Sequence, residues 1–342
     1  MQRPNFASPA FRSALFSLVF SPIALTLLGS AMADVLMRTA TGQPLASVEG
    51  MIGMAMSAIL IGLVSINCED SVAGLVVATV ISLPIAVLQF LGVLHIPGVF
   101  SMSTTADDLG ASAVWNLHPV GIFAILLGST LAVALKRSAV KRCVLRSDET
   151  SRAARLKHQR IRALVAVATV PLTLAAAFAL ASAAPKDSGL VAIEGLSGLF
   201  DPATFNPGLA AVAALCLGLV AFASRWSLFG PQVCAWAFLI FPFYLVLPLW
   251  ATLSGSVVTP GTKSATAIAL SAPILASWGL VLAAATLGVH WVRKAVARSI
   301  SDNAPIADRS TAGTPDHSAT GTPDCSTADT PDHDTEVSTT LG

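Results

Sequence analysis

The chain carries "GLVSINCEDS" at Gly62–Ser71 and "GLVAFASRWS" at Gly218–Ser227, a spacing of 156 residues. Four of the ten letters agree, and "GLV" is frequent in any apolar chain, so the match alone decides little. Its neighbours give it weight. Arg12 precedes Pro22 as Arg162 precedes Pro171. Gly74 and Gly230 each follow the closing serine by three positions. Pro84 pairs with Pro242, and Lys136–Arg137 with Arg293–Lys294. Order is kept throughout, and the offsets run only from 149 to 158. This pattern predicts a chain built twice.

Composition says what is duplicated. Of 342 residues, 54% are hydrophobic and 11% charged, against about 25% charged in a soluble domain. Apolar runs of about 20 residues alternate with short polar stretches, the pattern of membrane spans. Spans are expected near 13–33, 51–67, 74–95, 113–135, 163–184, 208–224, 229–250 and 266–291. No strand-like alternation competes, and helices satisfy their own backbone groups in lipid. The expected fold is an all-α integral membrane protein of about eight transmembrane helices. It comprises a four-helix half over 1–135, a basic cytoplasmic loop over 136–162, and a second four-helix half over 163–298. A disordered, Thr/Pro/Asp-rich cytoplasmic tail follows over 299–342. Four crossings per half is an even number. Both halves therefore enter the membrane facing the same way, related by an axis along the membrane normal.

Basic residues orient the spans. With the N-terminus inside, seventeen of the twenty Lys and Arg fall in cytoplasmic segments, ten of them between 136 and 162. Only Arg38, Lys186 and Lys263 fall outside. That asymmetry predicts a multi-pass cell-membrane protein with both termini cytoplasmic. Arg outnumbers Lys fourteen to six, a usage that hints at a high-GC bacterium. No outer loop carries a cysteine, so no disulfide framework is expected. The N-terminus has a second reading. Two arginines, an apolar run and the small residues Ala31–Ala33 resemble a cleavable signal peptide. Retention as a first span is favoured, because the internal span five also ends in small residues, "ASAA".

The segment "KRSAVKRCVLRSDETSRAARLKHQRIR" has two overlapping readings. It is the positive-inside signal on a solvated helix, or a patch that binds anionic lipid headgroups at roughly 1 kcal/mol per basic residue. Ser147 or Thr150 is a candidate cap for a helix entering span five. In the tail, "TPDH", "TPDC" and "TPDH" start at Thr314, Thr322 and Thr330, an eight-residue period. A spacer is the simplest reading. Phosphorylation at the Thr-Pro sites or a loose metal grip by His317, Cys325 and His333 are the alternatives.

Chemistry is sparse. The sequence carries no phosphate loop, dinucleotide glycine signature, HExxH, CxxC or GxSxG. No Asp, Glu, Lys or Arg falls at the centre of an expected span, which argues against a proton-coupled carrier. One outer-face set stands out: His95, Asp107, Asp108 and His118, with Trp115 and Asn116 alongside. Two imidazoles and two carboxylates could hold a divalent metal or perform acid/base chemistry. The second half has no counterpart, so ordinary interfacial residues are the preferred reading, with no metal and no cofactor expected. The lipid bilayer is the expected partner, and no nucleic acid is expected. Three functions remain: a transport- or permease-like protein, a non-catalytic envelope scaffold or regulator, and an outer-face membrane enzyme.

Overall fold

The computed structural model describes residues 8–40, 43, 45–69, 71–91, 114–144, 152–186, 205–254 and 263–302. Among them the only regular structure is helical. α1 spans Pro9–Ala40 and α2 Val48–Ile66, the latter closing in a 3₁₀ turn at Asn67–Glu69. α3 spans Ala73–Phe90, α4 His118–Val144 and α5 Arg152–Ala183. α6 spans Pro207–Ala223. α7, Phe229–Leu239, passes through a π-helical segment, Ile240–Val246, into α8, Leu247–Ser254. α9 spans Lys263–Asp302.

Seven of these segments are long and apolar enough to cross a membrane, so the protein is a multi-pass helical membrane protein. The counterpart of the expected 208–224 span, α6, has 17 residues and reaches roughly 25 Å at 1.5 Å per residue. The caps are readable in the sequence. Ser47 Oγ accepts from the Gly50 N–H at 3.0 Å. Asn206 Oδ1 accepts from the Gly208 N–H at 3.1 Å, with Pro207 at the first helical position, where its missing N–H costs nothing. Pro242 lies inside the π-helical turn, where its lack of an N–H is absorbed by the looser hydrogen-bond ladder.

Packing is inside-out relative to a soluble protein. Leu164, Val167, Leu174 and Phe178 on α5 are each at least 65% exposed and present a stripe to lipid. The interior is built from small residues. A Cβ on Gly128 of α4 would collide with the Gly218 carbonyl of α6, and one on Gly121 would collide with the Trp278 ring of α9. At Gly128 and Gly218 the backbones approach closely because both sides lack bulk, the usual basis of helix association in lipid, whereas at Gly121 the missing side chain makes room for the indole. Hydroxyls tie neighbours together: Ser57 Oγ donates to the Ala24 carbonyl at 2.6 Å, and the Thr79 and Thr130 hydroxyls meet at 2.8 Å. α9 is the central helix. Its most apolar window is 83% buried, against 28–56% for the other six candidate spans.

Several expected boundaries shift. α1 runs on to Ala40, so Asp34 and Arg38 lie in its last turns, where Ser47 Oγ donates to the Asp34 carboxylate. Ala31, Met32 and Ala33 are buried, inside the helix and not at an exposed cleavable turn. The basic 136–162 segment is largely helical: α4 continues to Val144 and α5 starts at Arg152. Lys and Arg are good helix formers, and their charged heads extend a span past the apolar layer at no desolvation cost. Ser147 and Thr150 lie outside the described residues. So does the tail beyond Asp302, with its TPD repeats, although 299–302 are still helical.

Candidate functional site

The start of α4 is set by a local turn. Leu117 has a left-handed backbone (φ 47°), which aims the chain into the helix at its first residue, His118. Asn116 Oδ1 accepts from the His118 N–H at 2.9 Å and supplies one of the partners that a helix start leaves open. His118 is wholly buried. Its ring Nε2 meets the Ser277 Oγ of α9 at 2.7 Å. The Trp278 indole N–H donates to the His118 carbonyl at 3.3 Å. The Trp278 ring lies over Gly121, one turn further along α4, where only glycine leaves room for it. Two helices 159 positions apart in sequence are thus locked by one polar pair and one aromatic ring.

A cavity of about 40 Å³ adjoins this junction, lined by Thr26 and Gly29 of α1, Ser82 and Ile85 of α3, and His118 and Ile122 of α4. That volume exceeds the roughly 10–15 Å³ needed for one water, and its walls are almost wholly apolar. Ser277 is not among the lining residues. A hydroxyl bonded to an imidazole is the arrangement of a nucleophile and its base. Here, however, both groups are enclosed, and among the described residues no partner meets the other ring nitrogen, Nδ1. The arrangement suits holding helices and presenting one polar edge near a small apolar space.

Of the expected set, His118 alone is described. His95, Asp107 and Asp108 lie outside the described residues. Among the described residues, no three His, Cys, Asp or Glu side chains converge as metal ligands would. Sequence reasoning passed over Ser277 and grouped Trp278 with the span-end tryptophans expected at the interface, whereas it is wholly buried. The available signal was weak: a serine and a tryptophan beside Gly279, in a span otherwise read as plain apolar helix.

A second polar arrangement occurs twice, away from His118. Arg137 on α4 donates to the Cys68 carbonyl at 2.5 Å and the Glu69 carbonyl at 2.6 Å. Arg293 on α9 donates to the Ser224 carbonyl at 3.0 Å and the Arg225 carbonyl at 3.3 Å. In each case a guanidinium satisfies carbonyls left open where a helix ends, and places positive charge at the negative end of the helix dipole.

No family model matches the chain, and comparison with curated proteins and with solved structures likewise found no match.

Proposed function

We propose that the chain is a tandem duplicate of two four-helix halves, 1–135 and 163–298. In this reading it crosses the cell membrane eight times, with both termini cytoplasmic, as a permease-like protein for small neutral or apolar solutes. The observation that carries the proposal is the pair of arginine clamps. Arg137 and Arg293, Cys68 and Ser224, Glu69 and Arg225 all differ by 156 positions, the offset of the "GLV" stretches. Three further pairs of positions keep that register: Gly74 and Gly230, Ser13 and Thr169, Thr130 and Thr286. Gly74 rests on Ser13 and Gly230 on Thr169. Thr130 and Thr286 each link the last helix of a half to its third, through Leu75 and Gln232. Contacts between halves are reciprocal: α4 packs on α6, and Gly288 of α9 lies near Ser65 and Cys68 at the end of α2.

The same register revises one landmark. Ser13 pairs with Thr169, so Pro22 falls nine positions beyond its anchor and Pro171 only two. On this register the two prolines are not counterparts.

Transport is supported by the cavity, which is lined by α1, α3 and α4 of the first half and adjoins the His118–Ser277 contact that joins the halves. The lack of carboxylates at span centres fits uncharged cargo. The test is stopped-flow light scattering of proteoliposomes after a glycerol or urea gradient. Faster re-swelling than empty liposomes, slowed by His118→Phe, supports the reading. Re-swelling no faster than empty liposomes rejects carriage of such solutes.

The second reading, a scaffold, is favoured by the dense glycine and alanine packing around α9. It becomes the better account if flux is absent. An outer-face enzyme would require His95, Asp107 and Asp108 beside His118, and the enclosure of His118 counts against it. Anionic headgroups along 136–162 remain part of the proposal, in keeping with the basic ends of α4 and α5.

A further inference from the structure

The two arginine clamps differ in one charge. The first half places Glu69 beside Arg137, and the second places Arg225 at the equivalent position beside Arg293. Arg225 and Arg293 are joined through the Arg225 carbonyl. Arg162, at the start of the membrane part of α5, is near enough to Arg293 for their charges to repel. Lys294 is the next residue along α9. Among the described residues, no carboxylate pairs with any of these four. The Arg293 Nε is buried, also with no partner among the described residues. Arg162 and Arg293 thus face each other as like charges, Arg225 and Lys294 lie at the same end of the bundle, and one buried donor is left over, a setting that favours an anion.

Aromatic rings set the depth of this cluster. The Arg225 guanidinium lies 5.3 Å from the Trp226 ring centre, and the Lys294 ammonium 5.1 Å from that of Trp291. Tryptophan at the ends of spans sits at headgroup level, and a cation on its face stays on the polar side of that layer. Arginine is the residue suited to phosphate oxygens, through its planar fork of donors.

We infer that Arg162, the last residue of the basic 136–162 segment, together with Arg225, Arg293 and Lys294 beyond it, forms a binding site for the phosphate of an anionic membrane lipid at one end of the second half. The fit is to a phosphodiester or phosphomonoester headgroup entering from the bilayer, with Arg162 and Arg225 as its principal contacts. Arg293 keeps its clamp on the helix end and contributes charge. The first half, with Glu69 at the matching place, lacks such a site. This inference needs neither the transport reading nor the orientation of the chain; it rests on the headgroup reading of 136–162 and narrows it to one site.

The test uses the full-length protein, delipidated in a neutral detergent. Native mass spectrometry and thermal unfolding would be read with short-chain phosphatidylglycerol, with phosphatidylcholine of the same chain length, and with inorganic phosphate. The expected result is one retained phosphatidylglycerol, bound at least about tenfold tighter than phosphatidylcholine. Arg162→Gln should weaken it several-fold, and Arg162→Gln with Arg225→Glu by about tenfold or more. Arg162 is exposed, so the single variant folds normally and keeps the test valid if the double variant is unstable. Equal retention of the two lipids, or unchanged affinity in the variants, would overturn the site, and a loss in Arg162→Gln that Arg225→Glu does not deepen would overturn it while leaving the headgroup reading of 136–162 in place. Binding of inorganic phosphate as tightly as of phosphatidylglycerol would overturn the lipid as its source.

Discussion

The guanidinium of Arg293 donates to the Ser224 carbonyl at 3.0 Å, and 156 residues earlier Arg137 donates to the Cys68 carbonyl in the same manner. If the halves are duplicates, the two bonds carry comparable weight. Arg137→Met and Arg293→Met should each lower stability by about 1.5–3 kcal/mol, the range for hydrogen bonds to charged groups. Thermal unfolding in detergent would check this. A large loss for one variant and none for the other would count against equivalent roles.

Glycines give a sharper contrast. Gly62 has open space where a side chain would sit, whereas Gly128 faces the Gly218 carbonyl. Gly62→Ala should be neutral within about 0.5 kcal/mol or slightly stabilising, since alanine is the better helix former. Gly128→Ala should cost about 1–3 kcal/mol, because two backbones must move apart. The measurement is the midpoint of unfolding for both variants, side by side.

The His118–Ser277 contact predicts coupling. Ser277→Ala alone leaves a buried imidazole nitrogen unpaired and should cost about 1–3 kcal/mol. His118→Phe alone leaves the serine hydroxyl without its ring partner. In the double variant the two losses should fall short of their sum by about 0.5–3 kcal/mol. A double-mutant cycle on unfolding free energy decides it. Additive losses would mean that the 2.7 Å contact holds nothing together.

Orientation can be read from α5, whose ends are both described. In a background lacking native cysteines, Arg160→Cys should react with a membrane-impermeant maleimide only from the cytoplasmic side, and Lys186→Cys only from outside. Native Cys68 is unsuitable for this purpose. It is wholly buried and should stay unlabelled until the protein is denatured. The reverse pattern at 160 and 186 would invert the topology.

α1 contributes Ala24, Leu28 and Met32 to the core, each with no exposed surface. Removing residues up to Ala33 would take away that face. Intact-mass measurement of the membrane-extracted protein should therefore find α1 present. A chain beginning at Asp34 would leave α2 and α3 without their main neighbour.

Much of the architecture was legible beforehand because lipid imposes a simple rule. A segment must be apolar for about 20 residues and must bond its own backbone, so seven of the expected spans have a helix long enough to cross, and the 208–224 span has a shorter one, Pro207–Ala223. Helix ends were less legible. The extension of α1 to Ala40 and of α4 to Val144 runs through polar residues, where the membrane no longer disciplines composition. The candidate site was half legible. His118 stood out as a rare titratable residue at a span end, but its partner could not be named. A serine in an apolar helix gives no hint of which helix it faces.

By itself, the sequence determined that this is a multi-pass helical membrane protein, roughly where its apolar helices lie, and that two stretches 156 residues apart resemble each other. Those are one-dimensional properties, set by apolar run length, charge count and local spacing. Only the tertiary structure decided that Arg137 and Arg293 close their helices alike, that Trp278 lies on Gly121, and that Arg293 meets the Arg225 carbonyl as Arg137 meets that of Glu69. Each of these depends on which small residues let two helices approach. In lipid, that selection is made by close packing and by the few hydrogen bonds available, and neither leaves a period in the sequence.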